Sequence, residues 1–232
     1  AVTVSAGQIY TSSDFGVNWT PRESNRTWRG VSLSNTGQYQ TAVASDSNIW
    51  TSYDFGVNWT SRASILGWLY VSISSTGQYQ TAVVDSGNIW TSSNYGVNWS
   101  KWLGGEGSRW RGSSISSTGQ YQVVANQYGG YGVYISKDYG SSWSVSGATT
   151  SADWADVAIS SSGQYLTAIA EYSPSLGTGG VYISSDFGVS WTQVSSNVTI
   201  SEIDAGVFDS IAPYNGGDPT TSATQSFDGG TP

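Results

Sequence analysis

Apolar and polar residues alternate in short runs along most of this chain, and the runs recur in a fixed order. Trp28-Arg-Gly-Val-Ser-Leu33 alternates, as do Gln40-Thr-Ala-Val43 and Asn48-Ile-Trp-Thr-Ser52. A period of two is the period of a strand whose successive side chains point to opposite faces. The same frame restarts at Trp68, Trp110 and Trp154, with second-strand tyrosines at Tyr39, Tyr79, Tyr121 and Tyr165. Third-strand aromatics fall at Tyr10, Trp50, Trp90, Tyr134 and Tyr182. The second strand is expected over 36–43 and the fourth from Trp59 onward. Four short antiparallel strands in about 40 residues are the unit of a β-propeller blade.

Between the third and fourth strands lies one recurring turn, Ser-x-Asp-x-Gly-x-x-Trp. It occurs as Ser12–Trp19, Ser52–Trp59, Ser92–Trp99, Ser136–Trp143 and Ser184–Trp191. Its third positions are Asp14, Asp54, Asn94, Asp138 and Asp186, in steps of 40, 40, 44 and 48 residues. A short side-chain oxygen at that position can accept hydrogen bonds from its own turn. The glycines two residues on (Gly16, Gly56, Gly96, Gly140 and Gly188) permit a positive φ. The closing Trp19, Trp59, Trp99, Trp143 and Trp191 are expected to open the fourth strand as large apolar wedges. Asn94 keeps an accepting oxygen but no charge, which favours a structural role for the turn over metal binding or carboxylate chemistry.

These turns resemble the Asp-box, or BNR, repeats of sialidases, sortilin-like receptors, xyloglucanases and a photosystem assembly factor. The resemblance covers about residues 7–193. It implies a propeller with the boxes at the blade periphery, away from any active face. It does not imply a function, because function resides in sites carried on folds.

The expected fold is therefore all-β, a five-bladed propeller of four-stranded antiparallel blades over residues 1–200. The count leaves one question. Five third-and-fourth-strand pairs are present but only four first-and-second-strand pairs, and a half-blade would expose a sheet edge. Either the C-terminal segment completes the first blade, with candidate strands at 198–203 and 221–227, or a neighbouring chain does so by strand addition. Residues 201–232 break the pattern. Asn215-Gly-Gly-Asp-Pro and Asp228-Gly-Gly-Thr-Pro read as a linker or a docking strand. No signal peptide is visible, and Ala1 reads as a processed or truncated start.

Composition narrows the chemistry. The chain has 12 Trp, 15 Tyr and 29 Gly, and neither Cys, Met nor His. Disulfides, thiol chemistry and histidine bases are excluded, no metal site is expected and no cofactor is indicated. A net charge of −8, with eight basic residues, argues against nucleic acid and anionic membranes. No stretch approaches a membrane span. A glycosidase needs two spaced carboxylates, and Glu23, Glu106, Glu171 and Glu202 each occur without a partner. The resemblance to sialidases would imply an arginine triad. Arg29 and Arg111 share one repeat position, but the N-terminal arginine motif is absent. No catalytic residue is assigned, and the chain is read as a non-enzyme.

Two sets of binding candidates remain. Trp102, the one tryptophan outside the repeat frame, lies with Glu106 and Arg109 in the long connection after the third box, a candidate ligand loop. Five Asn-x-Ser/Thr sequons occur at Asn18, Asn25, Asn58, Asn98 and Asn197, three of them at the same box position. Three readings follow. The first is a secreted or surface-associated structural or adhesive module, with self-assembly and N-glycosylation open to it. Its partners would be glycans and copies of itself. The second is a carbohydrate-binding propeller, and the third a glycoside hydrolase of sialidase or xyloglucanase type.

Overall fold

In a computed structural model, residues 7–45, 47–105, 107–127, 132–148, 152–173 and 178–195 are described. The chain divides into two units, 1–199 and 200–232. The second unit, and with it the candidate strands at 198–203 and 221–227, lies outside the described residues.

The described strands form five antiparallel sheets in chain order. Blade 1 contains β1 (Tyr10–Thr11) and β2 (Thr20–Pro21). Blade 2 comprises β3 (Trp28–Leu33), β4 (Gln40–Ala44), β5 (Ser47–Ser52) and β6 (Thr60–Leu66). Blade 3 comprises β7 (Trp68–Ile73), β8 (Gln80–Val84), β9 (Ile89–Ser92) and β10 (Ser100–Lys101). Blade 4 comprises β11 (Trp110–Ile115), β12 (Gln122–Asn126), β13 (Val133–Ser136) and β14 (Ser144–Val145). Blade 5 comprises β15 (Asp153–Ile159), β16 (Leu166–Ser173), β17 (Thr178–Ser184) and β18 (Thr192–Ser195). Each four-stranded blade is a simple meander, every strand pairing with its chain neighbours. The architecture is all-β and that of a five-bladed propeller. One 3-10 turn, Leu103–Gly105, is its sole helical element among the described residues.

Two details depart from the sequence expectation. The second strands begin at the residue after the tyrosine, Gln40, Gln80, Gln122 and Leu166, because the Gly-Gln-Tyr before it is spent on the turn, with Gly37, Gly77, Gly119 and Gly163 at positive φ. The fourth strands begin after the box tryptophan, because that residue still belongs to the turn. In four of the five boxes its indole Nε1 donates to the carbonyl of the box glycine, as Trp59 does to Gly56 at 2.9 Å.

The wedges of the core are chiefly the first-strand tryptophans. Trp28, Trp68, Trp110 and Trp154 are all 0 % exposed, whereas Trp19 is 49 % exposed and Trp59, Trp99 and Trp191 are half-buried; of the box tryptophans Trp143 alone is a buried wedge, packed in one cluster with Trp110 and Tyr134. Each first-strand indole meets a third-strand ring edge-on within its own blade. Trp68 and Trp90 lie 5.7 Å apart, and Trp110 and Tyr134 5.4 Å. At about 25 cal/mol per Å² over about 150–250 Å², each such tryptophan contributes at most about 4–6 kcal/mol. A register shift after each of them bends the first strand against the second.

Adjacent blades meet through a repeating set of contacts between residues about 40 apart. The second-strand tyrosine of one blade covers the turn glycine and stacks on the box aromatic of the next. Tyr39 meets Tyr95 at 4.6 Å, Tyr79 meets Tyr139 at 4.6 Å and Tyr121 meets Phe187 at 4.8 Å. The residue before each box serine abuts the next box glycine, Thr11 against Gly56, Thr51 against Gly96, Thr91 against Gly140 and Ile135 against Gly188. Thr41 Oγ1 donates to Gln80 Oε1 at 2.8 Å and Thr81 Oγ1 to Gln122 Oε1 at 2.5 Å. At the interface of blades 4 and 5 the polar pair becomes apolar as a set, with Val123, Ile135 and Leu166 in one cluster. Near the axis, Asn35, Ser75 and Ser117 each donate a backbone N–H to the equivalent carbonyl of the next blade at 2.9–3.1 Å.

Candidate functional site

The boxes use up the hydrogen-bonding capacity of their acidic residues. In the first, Ser12 Oγ donates to Asp14 Oδ1 at 2.7 Å and accepts from the Gly16 N–H at 2.9 Å. Asp14 Oδ1 also accepts from the Asn18 N–H at 2.9 Å, and Oδ2 accepts from Asn18 Nδ2 at 2.7 Å. Phe15 and Gly16 take the two left-handed conformations that close the turn, at φ 57° and 84°. The bonds from Asn18, backbone first and then side chain, hold the Asp14 pKa down to about 2. The Ser190 hydroxyl and N–H do the same for Asp186, also to about 2. Asp54 is lowered chiefly by Asn58. At Asp138 burial pushes upward, but bonds from Ser142 and Ser136 outweigh it and the pKa ends below its ordinary value. Carboxylates this firmly ionised are poor proton donors near neutral pH.

The third box differs. Asn94 Oδ1 accepts from Ser92 Oγ at 3.1 Å and from the Asn98 N–H at 2.9 Å, so the turn is kept. Those two donors fix which end of the Asn94 amide is oxygen. Its Nδ2 therefore stands where the other boxes place Oδ2. No bond joins the Asn94 and Asn98 side chains, in contrast to the Asp14–Asn18 and Asp54–Asn58 pairs.

Beside this box a cavity of about 290 Å³ opens between blades 3 and 4, lined by Asn94, Asn98, Lys101, Trp102 and Tyr139 together with serine and threonine side chains. A second cavity, about 210 Å³, lies on the axis, where Leu33, Ile73, Ile115 and Ile159 face one another beneath Asn35, Ser75, Ser117 and Ser161.

The predicted candidates are dispersed rather than gathered. Trp102 packs edge-on against Tyr134 at 5.7 Å, with Gly104 close against its ring. Arg109 Nε lies 3.8 Å from Asp85. Glu106 and Asn197 lie outside the described residues. Asn25, Asn18, Asn58 and Asn98 are all exposed, the middle two with their amide nitrogens held by box aspartates. Arg29 and Arg111 tie the first strand to the turn after the second, donating to Ser45 Oγ and to Gln127 Oε1. Among the described residues Asp156 is the one carboxyl pushed upward. Burial raises it, Val157 N–H bonds its Oδ1 at 2.8 Å, and Gly112 lies against it. Among the described residues no three acidic side chains gather to hold a metal.

Among the described residues, one side of the ring lacks the inter-blade contacts described above. Phe15 is 108 % exposed and Phe55 59 %, whereas their counterparts Tyr95 and Phe187 are stacked and half-buried. Gly16 is exposed and the other four box glycines are buried. On blade 5, Tyr165 is 57 % exposed and Ile183 43 %, the two positions that in blades 2–4 cover the next blade. The unequal count of first-and-second against third-and-fourth strand pairs is the trace of this asymmetry in the sequence.

The model of the BNR-Asp box repeat family matches residues 9–21, which is the first box with its flanking strands. No curated protein sequence matches the chain. Among solved structures, YCF48 bound to D1 peptide is 15 % identical, with 82 % of this chain and 77 % of that chain covered and a TM-score of 0.53. The GH74 xyloglucanase from Xanthomonas campestris is 15 % identical over 70 % of this chain and 29 % of its own, with a TM-score of 0.53. An ancestral GH74 enzyme is 13 % identical over 85 % and 25 %, with a TM-score of 0.57. This chain thus spans about a quarter of the GH74 chains. The likeness is one of fold, that of a β-propeller, and the turns that the chain repeats are similar to the BNR-Asp box.

Proposed function

We propose that this Asp-box propeller is a non-enzymatic extracellular interaction module, structural or adhesive, that associates with further copies of itself through the open side of its ring. The observation that carries the reading is the set of unmatched blade faces. Phe15, Gly16, Phe55, Tyr165 and Ile183 are the residues that elsewhere make the inter-blade contacts, and here they face solvent. A neighbouring molecule that supplied strands between blades 5 and 2 would meet ready-made partners on both sides. The spent box carboxylates favour binding over hydrolysis. The rim sequons other than Asn98 suit a secreted chain, and an intact-mass shift on deglycosylation tests their use.

Size-exclusion chromatography with light scattering tests the assembly. The parent should elute as an oligomer, and Tyr165→Ala should shift it toward monomer. A parent that remains monomeric at every accessible concentration would overturn the assembly. Hydrolysis of xyloglucan or a sialoside by the purified chain would overturn the non-enzymatic reading. A second reading, as a carbohydrate-binding propeller, is favoured by the amide-lined cavity of blade 3.

A further inference from the structure

The third box is both the one without a carboxylate and the one beside the larger of the two cavities described above. Three positions after the box tryptophan, blades 1 and 2 carry Arg22 and Arg62. Each folds back on its own third strand, Nε donating to Thr11 Oγ1 at 2.9 Å and to Thr51 Oγ1 at 3.3 Å. In blade 3 the same position is Trp102, which turns toward Tyr134 of blade 4. Thr91, freed from an arginine, donates instead to the Gly140 carbonyl at 3.3 Å. Thr91 and Trp102 both line the groove of about 290 Å³.

The groove's chemistry is uniform. Its polar lining is amide, hydroxyl and one lysine, and no described lining residue carries a carboxylate. Asn94 and Asn98 have no partner for their amide nitrogens among the described residues. A rotation of the Asn98 amide would join the two side chains and turn the Asn98 Nδ2 outward, so the groove keeps an amide donor either way. Trp102 and Tyr139 add two aromatic edges. Its volume sits at the lower limit for small-ligand sites.

We infer that this groove is a binding site for a short neutral oligosaccharide, with the Asn94 and Asn98 amides on vicinal hydroxyls and Trp102 at its apolar edge. Sugar hydroxyls are both donors and acceptors, and they match amides and serine hydroxyls better than a peptide's apolar side chains would. The inference rests on the carbohydrate-binding reading and is independent of self-assembly, since the groove lies between blades 3 and 4, away from the open side.

The test is Asn94→Asp, which installs the residue of the other four boxes and so leaves the turn intact. A carboxylate there takes up Asn98 Nδ2, as Asp54 takes up that of Asn58, and both amide donors leave the groove. Cellotriose and chitotriose are titrated into the full chain, with the side-chain amide and indole NMR signals as the readout. The parent should show movement of the Asn94, Asn98 and Trp102 signals, and Asn94→Asp should bind at least tenfold more weakly at an unchanged melting temperature or a higher one. The inference is overturned if neither sugar moves those signals at millimolar concentration. It is equally overturned if the variant binds as the parent does.

Discussion

The box glycine is present five times in one conformation but in two environments, and this allows packing to be separated from backbone strain. Gly16 and Gly96 have φ of 84° and 77°. An alanine at either suffers the left-handed cost of about 1–2 kcal/mol. Around Gly16 a new methyl group would meet nothing but Trp19, at 3.7 Å. At Gly96 it would fall 2.8 Å from both Thr51 Cγ2 and Gln80 Oε1. Neither can step aside cheaply. Thr51 is a β-branched strand residue that is 1 % exposed, and Gln80 is 1 % exposed and holds bonds to Thr41 at 2.8 Å and to the Gly77 carbonyl at 2.9 Å. Overpacking of this kind costs about 1–3 kcal/mol. Gly96→Ala should therefore cost about 1–3 kcal/mol more than Gly16→Ala. At about 2–4 °C per kcal/mol for a domain of this size, the gap in melting temperature is about 2–12 °C. Urea and thermal unfolding of the two variants at low protein concentration measure it. Equal losses would refute the reasoning, since they would mean either that the inter-blade contact yields or that a neighbour packs behind Gly16 in solution.

Three further outcomes are expected. Asp14 and Asp186 have folded-state pKa values of about 2, below the ordinary 3.8. Their contribution is therefore complete above about pH 4 and lost as pH falls toward 2; carboxyl NMR titration should find both midpoints near 2, and midpoints near 4 would contradict the box geometry. Tyr79→Ala, which uncovers Gly119 and Tyr139, should cost about 2 kcal/mol in urea unfolding, whereas Tyr165→Ala in the dilute chain should cost less than about 0.5 kcal/mol. Trp68→Ala should cost about 3–5 kcal/mol and Trp59→Ala distinctly less, because the first is a fully buried core residue and the second a half-exposed turn residue.

The repeat made the fold legible, while the roles within the repeat were less so. The steps between Asp14, Asp54, Asn94, Asp138 and Asp186 carried the blade count, and period-two alternation carried the strands. What misled was redundancy. Both tryptophans of each unit recur with equal regularity, and hydrophobicity cannot say that Trp68 faces the core while Trp59 closes a turn. That distinction depends on the indole of Trp59 finding the Gly56 carbonyl, a contact three residues long that fixes the ring at the surface. The inter-blade contacts were hidden for the opposite reason. Thr51 and Gly96 are 45 residues apart, and nothing in either residue's neighbourhood points to the other. A trace does exist in the column Thr11, Thr51, Thr91, Ile135 and Ile183. It turns apolar at Ile135, just where the facing glutamine column, Gln40, Gln80 and Gln122, turns to Leu166.

That paired change shows how a repeat protein acquires sites. Where two facing columns change together, as at blades 4 and 5, the interface is repacked and nothing is left over. Where a column changes without its partner, chemistry is released. Trp102 stands where blades 1 and 2 carry an arginine and turns toward Tyr134, and a groove lies beside it. Asn94 replaces an aspartate while Asn98 stays an amide, and donors are left pointing into that groove. The open side of the ring follows the same rule on a larger scale: Phe15, Tyr165 and Ile183 keep the identities of contact residues without the contacts. A chain whose function lay in its regular core would have no use for either imbalance. These two imbalances are therefore where binding is to be sought, the groove for a small ligand and the open side for a partner large enough to bring strands of its own.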